Sequence, residues 1–149
     1  MKAPNRSEEA DRISRRRARA LPILGVVLVS QQVSFLTAPE EAYRLVDHLR
    51  IGAWLVLTML LLGGLATSGA WFRPAEVRAM LNDESTREHR RTAYTYGFWA
   101  AAGAAMGLYV VDLFEAVSGR DAVHIVLTAA VATALLNFGM LERRAHRDA

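Results

Sequence analysis

Four long apolar blocks alternate with short charged connections along this chain. The uncharged blocks cover residues 21–38, 51–72, 92–111 and 122–141, so each has 18 to 22 residues. At about 1.5 Å per residue, about 20 apolar residues cross a bilayer core of about 30 Å. Because lipid offers the backbone no hydrogen-bond partners, each block is expected to be a helix. The pattern therefore predicts an all-α fold, a four-helix transmembrane bundle.

The charged connections divide the chain into a membrane domain and two tails. We expect a polar, poorly ordered tail over residues 1–18, a transmembrane domain over 19–143 and a short tail over 144–149. The predicted spans cover about 20–38, 49–72, 92–115 and 121–142. In the loop between the second and third spans, Val77, Met80 and Leu81 share one face. That spacing predicts a short interfacial helix in the central cytoplasmic loop.

The distribution of basic residues predicts the orientation of the spans. Residues 1–20, the central loop and residues 142–149 carry 15 of the 18 Lys and Arg residues, and the other two loops carry Arg44, Arg50 and Arg120. Basic residues in short connections stay on the cytoplasmic side, so both termini are predicted to be cytoplasmic. The first apolar block is long for a signal peptide, and Pro39 disfavours cleavage after Ala38. We therefore expect an uncleaved first span.

Composition narrows the chemistry. The 149 residues include no cysteine, which excludes disulfides, thiolate metal sites and cysteine nucleophiles. The net charge is +3, but the arginines flank the apolar blocks, so the expected partner is the lipid bilayer and not nucleic acid. The spacing matches no defined metal motif, and no nucleophile–base pair is recognisable. We expect no catalytic residue, no metal and no cofactor.

Small residues in the third span predict its packing. Gly103 and Gly107 form a G-x-x-x-G pair on one face, and Gly97 and Ala101 lie on the opposite face. Small residues let helices approach closely in a bilayer. We therefore expect the third span to be the central packing element. The two faces are explained either by ordinary packing within one bundle or by a contact with a second protomer.

An outer-rim polar cluster is the strongest candidate site. Asp112 lies about one turn inside the outer end of the third span, and intramembrane acids are often functional. On the same predicted side lie Glu115, His124, Asp47 and His48. Three interpretations stay open: ion pairs with nearby arginines, a metal or proton site, and a haem held by the two histidines.

Other polar residues fall within the apolar blocks. Gln31 and Gln32 interrupt the first span, and Asn137 lies in the fourth. They are expected to form interhelical hydrogen bonds, with a polar pathway or ligand contact as the alternative. Aromatic residues such as Trp54 are expected near span ends, where interfacial belts form.

A family resemblance adds a location. The stretch LNDESTREHRR at residues 81–91, which runs into YGFW at 96–99, resembles a loop of uncharacterised small four-span bacterial inner-membrane proteins. The resemblance implies the bacterial inner membrane and brings no activity with it.

Together, these features predict an integral membrane protein that serves as a non-catalytic accessory or homo-oligomeric subunit. One alternative is a small transporter or channel that uses the polar site around Asp112. The other alternative is a membrane-bound redox or metal-dependent enzyme. The sequence names no substrate, partner or pathway.

Overall fold

Four long helices make up the described part of the chain. The computed structural model describes residues 6–36, 44–67 and 84–147, and no strand occurs in these ranges. The helices are α1 (Arg6–Leu36), α2 (Arg44–Ala66), α3 (Glu84–Asp112) and α4 (Gly119–Ala145). Each predicted span corresponds to one helix, and the all-α prediction is confirmed. The predicted interfacial helix around residues 77–81 lies outside the described residues.

Two of these helices are long and apolar enough to cross a membrane. The segment Leu49–Ala66 of α2 has a mean hydropathy of 1.9, and α4 has a value of 1.8. This is weak support for a membrane location, because the core helix of a soluble protein has the same properties. The first half of α1 is charged, and the apolar part of α3 consists mainly of alanine, glycine and aromatic residues. These compositions keep the hydropathy of both helices low.

The predicted disordered tail is helical from its sixth residue. Helix α1 begins at Arg6, so the prediction for residues 1–18 is wrong from that point onward. Arg17 is only 8% exposed and Ala18 only 2%. The polarity of this segment suggested solvation, but a carboxylate of α4 neutralises Arg17 and the helix packs there.

Helix α4 is the centre of the described bundle. It packs extensively against both α1 and α3, and more sparsely against α2. Nine of its residues are buried, whereas only Thr86, Ala93 and Gly97 are buried on α3. The prediction that the third span is the central packing element is therefore wrong. The glycine pattern marked close approach but did not identify the helix with the most neighbours.

Glycines allow α4 to approach its two main neighbours closely. A Cβ atom at Gly139 would overlap the ring of Pro22 on α1. A Cβ atom at Gly97 of α3 would lie 2.9 Å from the Ala130 carbonyl oxygen of α4, too close for any larger residue. These contacts hold α4 close to α1 at Gly139 and close to α3 at Gly97, which lies in the middle of α3.

The core lies along the middle of the helices and toward the end of the bundle where α3 begins and α4 ends. We call this the inner end of the bundle and the opposite one the outer end. The largest fully buried side chains of the core are Leu28, Leu65, Leu135 and Phe138. Beyond Gly97, no residue of α3 is buried. The described residues therefore cover the outer half of α3 less than its inner half.

Candidate functional site

A buried carboxylate joins three helices at the inner end of the bundle. Glu142 of α4 is 4% exposed, and its Oε2 atom lies 2.5 Å from Arg17 Nη2 on α1. On α3, the Thr86 hydroxyl donates to Glu142 Oε1 at 3.3 Å. His89 Nδ1 lies 3.2 Å from the same oxygen. Both carboxylate oxygens of Glu142 are therefore held by donors from neighbouring helices.

The pairing offsets an expensive burial. The side chains of Arg17 and Glu142 are 6% and 5% exposed, and moving each ion out of water costs several kcal/mol. The Arg17 guanidinium also lies 5.1 Å from the ring centroid of Phe138, close enough for a cation–π contact. We call Arg17, Thr86, His89 and Glu142 the Glu142 cluster. It locks α1, α3 and α4 together.

A serine links this cluster to the surface. Ser14 Oγ donates to Glu142 Oε2 at 3.4 Å and lies 2.8 Å from His146 Nε2. His146 borders an open cleft of about 440 Å³ between the inner ends of α1 and α4. The cleft is dominated by arginine and is lined by Arg15, Ala18, Arg19, Arg143, His146 and Arg147. We call it the arginine cleft.

A second polar region lies deeper in the bundle. The Thr128 hydroxyl of α4 donates to Gln32 Oε1 of α1 at 3.1 Å, and both side chains are buried. Trp54 of α2 stacks on His124 of α4 with ring centroids 3.9 Å apart. Trp54 is 5% exposed, so its ring faces the interior of the bundle. Polar groups from three helices thus meet in the interior.

An apolar layer separates the two polar regions. Thr128 and Glu142 are 14 residues apart on α4, or about 21 Å along a helix. Between them, Leu28, Leu135 and Phe138 are fully buried. Within the described residues, the polar groups therefore form two separate sites and not one continuous path.

The described members of the predicted outer-rim cluster differ in exposure. Asp112 is exposed, and its Oδ1 atom accepts a hydrogen bond from the Val117 backbone N–H at 2.8 Å. Glu115 is exposed, whereas His124 is 3% exposed and faces the core. Asp47 and His48 belong to α2, but their side chains lie outside the described part of the structure.

Asp112 nevertheless borders a second cleft. This outer cleft, of about 490 Å³, lies between the outer parts of α3 and α4. Asp112 is its one charged lining residue, and the others are apolar: Ala105, Leu108, Tyr109, Val117, Ala122, Val123, Val126 and Leu127. No group of three or more His, Asp or Glu side chains that could hold a metal occurs among the described residues.

The remaining predicted residues divide between contacts and open surface. Gln31 is exposed, and Asn137 donates to the Thr133 carbonyl within α4, so its expected interhelical bond is not the one formed. Ala101 lies with Gly97 on the side of α3 that borders α4. A Cβ atom at Gly103 or Gly107 would meet no described atom within 4 Å.

Sequence reasoning missed the Glu142 cluster. In the sequence, Arg17 is one of the basic residues that predict orientation, and Glu142 is the last residue of the fourth predicted span. One signal was present: an acid in the last turn of a helix opposes the helix dipole, which favours cations there. Glu142 directly precedes Arg143 and Arg144 at that end. A cation supplied by another helix would explain an acid in that position.

Comparisons with known protein families, with curated proteins and with solved structures found no match for this chain.

Proposed function

We propose that this chain is a four-span protein of the bacterial inner membrane, with both termini in the cytoplasm. We further propose that it serves as a non-catalytic subunit, which associates with a second copy of itself through the open glycine face of α3. Two distributions support these proposals: apolar residues on the outside of the helices, and glycines that contact nothing in the described chain.

Large apolar side chains cover the outside of all four helices. Examples are Val26 on α1 (56% exposed), Met59 on α2 (72%), Met106 on α3 (71%) and Val123 on α4 (55%). In water, apolar surface costs about 25 cal/mol per Å², and soluble monomers rarely expose large apolar patches. Lipid removes that cost. This outer surface is the observation that carries the membrane proposal, including for the less hydropathic α1 and α3.

The interior supports the same proposal from the opposite direction. Among the buried side chains are Arg17, Gln32, Thr128 and Glu142, which bind one another in pairs. Polar groups inside and apolar groups outside are the arrangement that suits a lipid environment. Because these groups pair across helices, they favour a structural role over catalysis.

Reporter fusions test the membrane arrangement. Alkaline phosphatase fused after Ser118 should be active, because that loop is predicted to face the periplasm. A fusion at Ala149 should be inactive, since the C-terminus is predicted to be cytoplasmic. The reverse pattern, or two inactive fusions, would contradict the four-span arrangement.

The two small faces of α3 support association. Gly97 shows what a small residue does when its face is occupied, because the α4 backbone approaches it closely. Gly103 and Gly107 offer the same close approach, yet no described atom comes within 4 Å of a Cβ placed there. In a bilayer, such a face is suited to packing against another helix.

Native mass measurement in mild detergent tests this association. The wild-type protein should be an oligomer, and Gly107→Leu should weaken self-association at least tenfold by filling the contact. Ala102→Leu is the matched control, because position 102 lies on the α3 side that carries Phe98 and Tyr109. A monomeric wild-type protein, or equal effects of both changes, would contradict a homo-oligomer formed through this face.

A small transporter is the second candidate. The observation that favours it is the outer cleft, where a carboxylate of Asp112 borders an otherwise apolar space. That chemistry suits an amphiphilic cation, because the carboxylate attracts the positive charge while the walls receive the apolar part.

A further inference from the structure

A proline in α1 explains how one arginine of the arginine cleft is held in place. Pro22 has no N–H group, so it cannot bond the carbonyl oxygen of Ala18, four residues earlier. Arg143 of α4 fills this gap, because its Nε atom donates to the Ala18 oxygen at 3.0 Å. Its Nη2 atom also lies 3.5 Å from the Arg19 carbonyl oxygen. An arginine is thereby fixed at the mouth of the cleft by the backbone of the neighbouring helix.

All the charged side chains in the described lining of the cleft are cations. Its charged residues are Arg15, Arg19, Arg143 and Arg147, and His146 adds a further nitrogen donor or acceptor. The described ion pairs give no carboxylate to Arg15, Arg19 or Arg147. Glu142 lies nearby, but its two carboxylate oxygens are bound by Arg17, Thr86 and His89. Four like charges around one cleft repel each other until an anion enters.

Arginine also specifies the kind of anion. The planar guanidinium presents donors in a fork that matches phosphate oxygens, which strengthens such pairs relative to those of lysine. The volume of about 440 Å³ is within the usual range of ligand pockets, about 300–1,000 Å³. We infer that the arginine cleft binds a phosphate group.

Its position favours a lipid as the source of that phosphate. Arg15 and Arg19 precede Leu21, where the first apolar block begins, and Arg143 and Arg147 follow Leu141, where the last one ends. If the helices cross the membrane as proposed above, the cleft lies at the level of the cytoplasmic headgroups. Anionic phospholipids are concentrated there and attract juxtamembrane arginines. This step alone rests on the proposed function.

Thermal unfolding of the full-length protein in a neutral detergent tests the inference. We expect added phosphatidylglycerol to raise the midpoint and phosphatidylcholine, at equal concentration, to leave it nearly unchanged. The double variant Arg15→Gln/Arg19→Gln should bind phosphatidylglycerol about 30-fold more weakly, the effect of losing two interfacial cations. Inorganic phosphate is added in a separate experiment. If it raises the unfolding midpoint of the wild type but not that of Arg15→Gln/Arg19→Gln, the source is a free phosphate.

The matched control is Arg12→Gln/Arg16→Gln, which removes the same charge from exposed positions of α1 outside the cleft lining. It should change lipid affinity less than threefold. Equal losses in both double variants would indicate diffuse charge attraction and overturn the site, as would a wild-type protein that responds to neither lipid nor phosphate. If Arg15→Gln/Arg19→Gln does not fold, Arg147→Gln takes its place. Binding of lipid or phosphate to the protein in detergent does not depend on the orientation of the helices in a membrane. The reporter fusions can therefore contradict the proposed topology without affecting this result.

Discussion

The inner and outer ends of the α3–α4 pair differ in how they treat charge. At the inner end, Glu142 is buried and held by groups from α1 and α3. At the outer end, Asp112 and Glu115 are exposed, and Asp112 bonds to the backbone of the adjoining turn. The Glu142 carboxylate therefore links three helices, whereas the Asp112 carboxylate bonds only to the turn that follows its own helix.

Packing changes along the same direction. Gly97 contacts α4 closely, and α3 has no buried residue from there to its outer end. The outer cleft lies along this less buried half, and a Cβ atom at Gly103 or Gly107 would meet no described atom within 4 Å. The inner half therefore carries most of the packing of α3 against α4, and the outer half is available to a partner or ligand.

The largest effect should come from removing the buried charge. Glu142→Gln removes the carboxylate charge from the buried pair with Arg17, and breaking a buried ion pair typically costs about 3–5 kcal/mol. We expect a matching loss in the free energy of unfolding, measured by denaturant titration in mixed micelles. The double variant Arg17→Met/Glu142→Gln should recover part of the loss, because it leaves no isolated charge in the interior.

Glu115→Gln is the control at the other end. It removes an equal charge from an exposed position, so it should change the free energy of unfolding by less than about 0.5 kcal/mol. Similar effects of Glu142→Gln and Glu115→Gln would remove the distinction between the two ends.

The sequence predicted the number and approximate limits of the described helices because apolar block length is a local property. It also predicted that Gly97 permits close approach. It did not predict the Glu142 cluster, because the partners of Glu142 lie 125 residues away at Arg17 and 56 away at Thr86. Local patterns show that Arg17 is charged, but only the packing of α1 against α4 shows that its charge is neutralised.

The described members of the outer-rim cluster differ in environment for a related reason. Proximity to the same span ends suggested that Asp112 and His124 would meet. The orientation of α4 instead turns His124 toward Trp54 in the core, and α3 ends so that Asp112 bonds to Val117. Depth along the helices was predictable from spacing, whereas the direction of each side chain depended on the packing of all the helices.

Asp112→Asn should also have a small effect on stability, and it separates the two proposed functions. The asparagine side-chain oxygen can still accept the Val117 N–H, so the turn should persist and the free energy of unfolding should change by less than about 1 kcal/mol. If the protein is a structural subunit, oligomeric state and cellular phenotype should match the wild type. Loss of the phenotype with normal insertion and assembly would instead favour transport through the outer cleft, because only the charge facing that cleft has changed.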